Sequence, residues 1–322
     1  MDNKTIVKNV VKHNDGKISN VYFTACGGSL VDMYPAYYFL KSEAENLSTG
    51  WYTANEFVHV TPKKIGAQSV VFVCSHSGNT PESVKAAKVA QEKGAITIGL
   101  TFNPKAELLK YSDEKIIYEW GDENEVVKNP MAIVLDITSQ ILGQLEGYDK
   151  LAEFADGFKK IDTIVTNALA QVQDRTKRFA DKYQHEPMFY ILGSGASFGH
   201  TYGFAICSLM EMQWLDAAPI HSGEYFHGPF EVTDKDKPYI VMESIGRTRP
   251  LDERAIKFLK KYAEKIEIVD AKELGLDLID SSVAEYFNPI LFYSVLCEYR
   301  AKLADIRNHS LEVRRYMGKV EY

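Results

Sequence analysis

The acid/base side chains Glu211, His221, Glu224 and His227 fall within the single stretch Glu211–Glu231, EMQWLDAAPIHSGEYFHGPFE. Gly223, Gly228 and Pro229 interrupt any helical pattern around three of them, so sharp backbone turns are expected there. Histidine changes charge near neutrality, and with a carboxylate it can exchange protons with a bound substrate. The chemistry such a stretch could perform is therefore general acid/base catalysis, with Glu211 as base, His227 as acid, and Glu224 either orienting His227 or replacing Glu211. The residues alone leave a plainer alternative open, in which His221 and His227 are hydrogen-bonded members of a bent loop.

A second group of residues is suited to holding an anion. Val21–Ala25 reads as a buried strand that runs into Cys26-Gly27-Gly28-Ser29 and then into a helical pattern from Leu30 to about Glu43. Ser69–Val73 reads as another strand, ending in Cys74-Ser75-His76-Ser77-Gly78-Asn79-Thr80 before a helix that opens at Pro81. Strand, hydroxyl- and glycine-rich loop, helix is an arrangement whose free amides favour phosphate. Gly27, Gly28, Ser29, Ser75, Ser77 and Thr80 are the expected contacts, with His76 lining the loop. Ser and Thr also cap helices without any ligand, which is the competing reading of the same residues.

Elements that position these groups repeat along the chain. Further strands are expected at Ile96–Thr101, Met188–Leu192, Tyr239–Met242 and Ile266–Asp270, each next to a helical pattern, which implies parallel sheets covered by helices on both faces. One offset of 168 residues carries Gly27 onto Gly195, Ser29 onto Ser197, Gly78 onto Gly246 and Thr80 onto Thr248. The chain is read as two copies of one α/β unit, residues 1–150 and 186–322, joined by a connecting helix over 151–185. At the same offset Ser75 becomes Glu243 and Ser77 becomes Ile245, so only the first copy is expected to hold phosphate.

Composition excludes several classes. A net charge of -7 over 322 residues, with no concentrated basic stretch, argues against nucleic acid or an anionic membrane as partner. Cys26, Cys74, Cys207 and Cys297 form no CxxC pair, and the eight histidines show no HxxxH spacing, so neither disulfides nor a metal site is expected. The polar N-terminus lacks an apolar signal core and no run has the length of a membrane span, which sets the expectation of a cytoplasmic protein. The ending RRYMGKVEY is aromatic and β-branched where a frayed terminus is usually small and polar, so it is expected to pack down and present Lys319. A loosely held basic tail is the alternative.

With these residues assembled, the chain resembles the sugar isomerase (SIS) family over essentially its whole length, as two tandem SIS units. That resemblance implies a three-layer αβα fold of flavodoxin or Rossmann type in each unit. CGGS and SHSGNT are similar to the family's sugar-phosphate loops. Glu211–His227 is similar to the catalytic segment of the isomerase half of glucosamine-6-phosphate synthase, where the matching glutamate moves a proton between C1 and C2 and the matching histidine assists ring opening. Lys319 lies in a tail similar to the one that covers the sugar there. The resemblance implies a phosphosugar substrate, no cofactor, and a homodimer whose active site is shared. MEMQW, HSGEYFHGPFE and RRYMGKVEY together resemble the branch of deglycases that act on 6-phosphorylated Amadori compounds, with a lean toward an aspartate arm. Residue 2 is Asp rather than a catalytic cysteine, and the first strand begins near Val21, which leaves no room for a glutaminase or a helix-turn-helix domain. A phosphosugar isomerase, a glucosamine-6-phosphate deaminase and a non-catalytic sugar-phosphate sensor remain as alternatives. On chemical grounds Met210, Met212 and Trp214 are expected to floor a pocket that desolvates Glu211. Arg247, Arg249, Arg314 and Arg315 are the candidates to read a carboxylate on the amino-acid arm.

Overall fold

The computed structural model describes residues 3–121 and 124–321. Asp2 and Tyr322 lie outside the described residues. The chain divides into two compact units, Met1–Lys159 and Lys160–Tyr322.

The first unit begins with α1 (Asn3–Lys12) and then β1 (Asn20–Ala25), whose six residues NVYFTA are all buried. Burial on both faces requires a near-continuous apolar run and a place in the middle of a parallel sheet. The helical pattern expected from Leu30 is two helices, α2 (Gly27–Asp32) and α3 (Tyr34–Glu43), with Pro35 in the first turn of the second. Then come β2 (Ser48–Thr53), α4 (Ala54–His59), β3 (Ser69–Cys74), α5 (Pro81–Glu92), β4 (Ile96–Thr101) and β5 (Glu114–Ile117). They form a parallel five-stranded sheet in the order β2-β1-β3-β4-β5. Ala86, Ala87 and Ala90 of α5 pack with Tyr22, Phe57, Val71, Val73 and Leu108. Small side chains on that helix face bring it close to the sheet, and each large neighbour so buried contributes about 1.5–3 kcal/mol. The helical run that follows is α6 (Pro130–Glu146) and α7 (Leu151–Tyr183). Its break, read at Gly147-Tyr148, comes where Gly147 adopts φ +76° and donates its amide to the Gly143 carbonyl.

Asp32 is a carboxylic acid inside this core. Burial pushes it up from 3.8 to about 7. A raised carboxyl keeps its proton in the folded chain where the unfolded chain has lost it, so its contribution to stability declines as pH rises through that window. At about 1.4 kcal/mol per pH unit the loss is roughly 4 kcal/mol between about pH 4 and pH 7. Asp32→Asn is expected to raise the melting temperature at pH 8 and to leave it almost unchanged near pH 4. Equal shifts at both values would contradict this origin.

In the second unit α7 ends and β6 (Met188–Gly193) begins, followed by α8 (Phe198–Gly203), a π-helical turn over Phe204–Glu211, and β7 (Asp216–His221). The rest is β8 (Pro238–Glu243), α9 (Arg249–Tyr262), β9 (Lys265–Asp270) and α10 (Asn288–Arg307). The four strands are parallel in the order β7-β6-β8-β9. β7 carries Pro219, which an edge strand accepts because one side of its ladder needs no donor. Arg175 of α7 closes the other edge, ion-paired to Glu267 of β9 and bonded to the Ile268 carbonyl.

Candidate active site

The first unit presents the SHSGNT loop where β3 gives way to α5. Ser75 is buried, accepts the Gly78 amide at 3.1 Å and shares a 2.9 Å hydrogen bond with Thr80 Oγ1. Gly78 has φ +67°, and a Cβ there would meet Ala106 Cβ at 2.1 Å, so only glycine fits the turn. The turn lifts Ser77 into solvent and leaves His76 exposed on one side, its ring partly covered by aromatic neighbours. The backbone amides of His76 and Ser77 meet no acceptor among the described residues. His76 stacks on Phe102 at 5.2 Å and bonds Tyr118 Oη through Nδ1 at 3.0 Å, with Trp120 edge-on at 5.5 Å; burial of the ring lowers its pKa. A neutral ring among aromatic faces beside two open amides can bind a sugar phosphate without an ion pair. Phe102, Tyr118 and Trp120 escaped the sequence reading because they follow β4 and the weakly patterned β5. In the CGGS segment Gly27 and Gly28 are exposed and Ser29 is half-buried.

The counterpart loop of the second unit is closed by the chain itself. The Ser244 amide donates to Asp252 Oδ2 at 3.1 Å, the Ile245 amide to Asn288 Oδ1 at 2.9 Å and the Arg247 amide to Glu285 Oε2 at 3.1 Å. Ser197 Oγ and Ser244 Oγ hold each other at 2.8 Å. Glu243, which stands at the position of Ser75, ion-pairs with Arg249 at 2.8 Å. Three side-chain acceptors thus take the amides that an anion would need.

Glu211 and the other acid/base groups of its stretch are not neighbours. Arg307 donates to the Gln184 carbonyl, which precedes β6, and to the Gln213 carbonyl, which puts Gln213 and Glu211 at the N-terminal edge of the sheet. His221, Glu224 and His227 follow β7, whose exit is tied by the Ser222 amide to the Gly193 carbonyl at the end of β6. The six residues of β7 lie between, a length of roughly 17 Å at 3.3 Å per residue. The sequence reading missed this strand, and its picture of one clustered acid/base loop is corrected accordingly. At the far end, consecutive turns link the Glu224 amide to the His221 carbonyl and the His227 amide to the Glu224 carbonyl, leaving the Glu224 and His227 side chains exposed. Tyr225, fully buried, and the rings of Phe226, Phe230 and Phe258 anchor that turn.

Around Glu211 the C-terminal tail is held by polar contacts. Arg314 Nη2 pairs with Glu211 Oε1 at 2.9 Å, both side chains about four-fifths buried at 20% and 23% exposure. Arg315 lies over the Trp214 ring at 4.3 Å, with His309 edge-on to the same ring at 4.7 Å. Lys319 Nζ donates to the Arg314 carbonyl at 2.6 Å. Tyr316, Met317 and Val320 are exposed by 51% or more, so apolar packing does not fasten the tail as expected; two arginines do. Met210 and Trp214 are each 40% exposed and leave the expected apolar floor open in the single chain.

No group of three or more His, Cys, Asp or Glu side chains among the described residues is arranged to hold a metal, and no described helix is long and apolar enough to cross a membrane.

Residues 17–142 match the SIS domain profile. The chain is 42% identical to fructosamine deglycase FrlB of Bacillus subtilis (strain 168), over 95% of this chain and 93% of that protein. It is 25% identical to the fructoselysine 6-phosphate deglycase of Escherichia coli O157:H7, over 99% and 90% respectively. A solved candidate phosphosugar isomerase from Salmonella typhimurium LT2 superposes with a TM-score of 0.97 at 45% identity, covering 99% of this chain and 96% of its own.

Proposed function

The chain belongs to the SIS-domain family of enzymes, and from that premise we propose that it is a deglycase for 6-phosphorylated fructosamines, yielding glucose 6-phosphate and a free amino acid. The observation that carries the reading is the pair of open amides on a hydroxyl-rich loop, in a chain similar to a fructosamine deglycase along nearly its full length. The first unit's loop holds the phosphate through the His76 and Ser77 amides and the Ser77 hydroxyl, with Ser75 and Thr80 fixing the turn. Gly27, Gly28 and Ser29 line the same end of the sheet. The closed counterpart loop supports one phosphate site per chain.

A fructosamine 6-phosphate carries a ketone at C2 and the amino acid's nitrogen on C1. Glu211 takes a proton from C1 while the C2 oxygen gains one, which gives an enolamine. Return of a proton to C2 and loss of the proton on nitrogen give an imine at C1, with the hydroxyl kept on C2. One water then adds to that carbon and the C–N bond breaks, releasing amine and aldehyde with no change in oxidation state overall. The substrate's own carbonyl and nitrogen delocalise the charge, so the scheme calls for no cofactor. His227 serves as the acid at the ring oxygen or at the departing nitrogen, Glu224 orients it, and Lys319 acts from the tail.

A homodimer with a shared site belongs to the proposal. Its support is the length of β7, which keeps Glu211 and His227 of one chain from reaching C1 and the nitrogen bonded to it together. Mixing Glu211→Gln with His227→Asn protein, each inactive alone, is then expected to restore about a quarter of wild-type activity, as random reassortment of twofold dimers leaves one intact site in each mixed pair. Failure to regain activity after subunit exchange would count against sharing. A cytoplasmic setting belongs to the proposal as well, in keeping with four cysteines that form no CxxC pair.

The substrate is tested by coupled detection of glucose 6-phosphate from 6-phosphofructose-aspartate, 6-phosphofructose-lysine and glucosamine 6-phosphate in parallel. Preference for the aspartate compound is expected. Turnover of glucosamine 6-phosphate alone would replace the reading with a deaminase, and ligand-induced stabilisation without turnover would replace it with a sensor.

A further inference from the structure

Four arginines qualify by sequence to read a carboxylate on the amino-acid arm, and the structure separates them. Arg247 is spent on Glu285 and the Tyr286 hydroxyl, with Nε to Glu285 Oε1 at 2.6 Å. Arg249 is spent three times over, on Glu243 at 2.8 Å, Glu253 at 2.9 Å and Asp270 at 2.8 Å. Removing either from its carboxylates would strand acids that are themselves largely buried, at 8% exposure for Glu285 and 12% for Glu243. Arg315 faces an aromatic ring. Arg314 alone of the four touches the proposed base, and it does so from an exposed segment whose neighbours Tyr316, Met317 and Val320 stand in solvent. Its Nη1 donates to the Leu311 and Val313 carbonyls at 2.6 and 3.0 Å and its own carbonyl accepts from Lys319, all within the tail, so Glu211 is the one carboxylate it holds among the described residues. The pair therefore joins an oxygen that must accept a proton to a guanidinium on an exposed segment fastened by side-chain contacts of two arginines.

We propose that Arg314 is a carboxylate-operated latch that sets the substrate specificity of Glu211. Without substrate its guanidinium occupies Glu211 Oε1. A carboxylate on the amino-acid arm offers the same planar, two-oxygen partner and draws the guanidinium off, which frees Glu211 for C1 and fixes the arm in one step. An arm with no carboxylate leaves the latch in place and reacts slowly. Arg314 thus acts as a positioning and specificity residue, and the inference rests on the deglycase reading.

The test compares 6-phosphofructose-aspartate with the 6-phosphorylated fructosamine of propylamine, which has the same sugar and linkage but no carboxylate. For wild-type protein kcat/KM is expected to favour the aspartate compound by roughly 10–100-fold, the range for a charge-assisted hydrogen bond made or lost. In Arg314→Gln the ratio is expected to fall toward unity, through a higher KM for the aspartate compound and a higher kcat for the propylamine compound. Arg314→Lys, which keeps the charge and loses the fork, falls between. Each ratio is internal to one variant, so a reduced folded fraction does not move it. An unchanged ratio in Arg314→Gln, or equal losses on both compounds, overturns the latch while the deglycase reading stands. If wild-type protein releases glucose 6-phosphate from neither compound, the deglycase reading falls and the latch with it.

Discussion

Glu211→Gln is expected to lower kcat by about 10²–10⁴-fold, the usual worth of a positioned general base, with KM close to that of the parent. Glutamine keeps the shape of the side chain and can still accept a hydrogen bond from Arg314, so the tail contact at 2.9 Å loses its charge but not its geometry. What it cannot do is take the C1 proton. The proposed phosphate loop lies in the other unit and is untouched by the change, which is why binding should persist. Steady-state kinetics with the aspartate compound, alongside isothermal titration of glucose 6-phosphate, separates the two effects. Full activity in the variant would remove Glu211 from the mechanism and leave Glu224 as the next candidate.

Changing Ser75 and Ser77 together to alanine is expected to raise KM by roughly 10–100-fold, since the Ser77 hydrogen bond to a charged group is worth about 1.5–3 kcal/mol and loss of Ser75 loosens the turn that aims the amides. The two serines contribute differently. Ser75 holds the turn from within, through Gly78 and Thr80, whereas Ser77 stands exposed at its tip. Ser77→Ala alone should therefore act on KM with little effect on melting temperature, and Ser75→Ala should lower both affinity and stability. Unaltered KM in the double variant would rule out this loop as the phosphate site.

What the sequence discloses and what it hides follows from the physics of each element. β1, β3 and β4 are central parallel strands buried on both faces, and their apolar runs announce them. β2, β5 and β7 lie at or near sheet edges, where STGWYT, EKII and DAAPIH need no such run. Missing β7 had the larger consequence, because it made Glu211 and His227 look adjacent when a strand's length parts them. The π-helical turn that delivers Glu211 has no signature in residue type, since it depends on backbone hydrogen bonds shifted by one residue. Glu243 and Ile245 marked the second loop as different, yet the acceptors that close it, Asp252, Asn288 and Glu285, come from α9, α10 and the turn before α10. The Arg314 to Glu211 pair is likewise a product of tertiary structure, joining the tail to the end of a helix far earlier in the chain.

The proposed reaction moves a proton from C1 to C2 before the nitrogen leaves. The most direct measurement uses 6-phosphofructose-aspartate carrying two deuterium atoms on C1, with mass spectrometry of the sugar product. Glucose 6-phosphate with a single deuterium left on C1 is the predicted result, because one is taken by the base and the other stays through hydrolysis of the imine. Fructose 6-phosphate with both deuterium atoms retained would mean that the C–N bond is cut without isomerisation, and would contradict the mechanism assigned to Glu211.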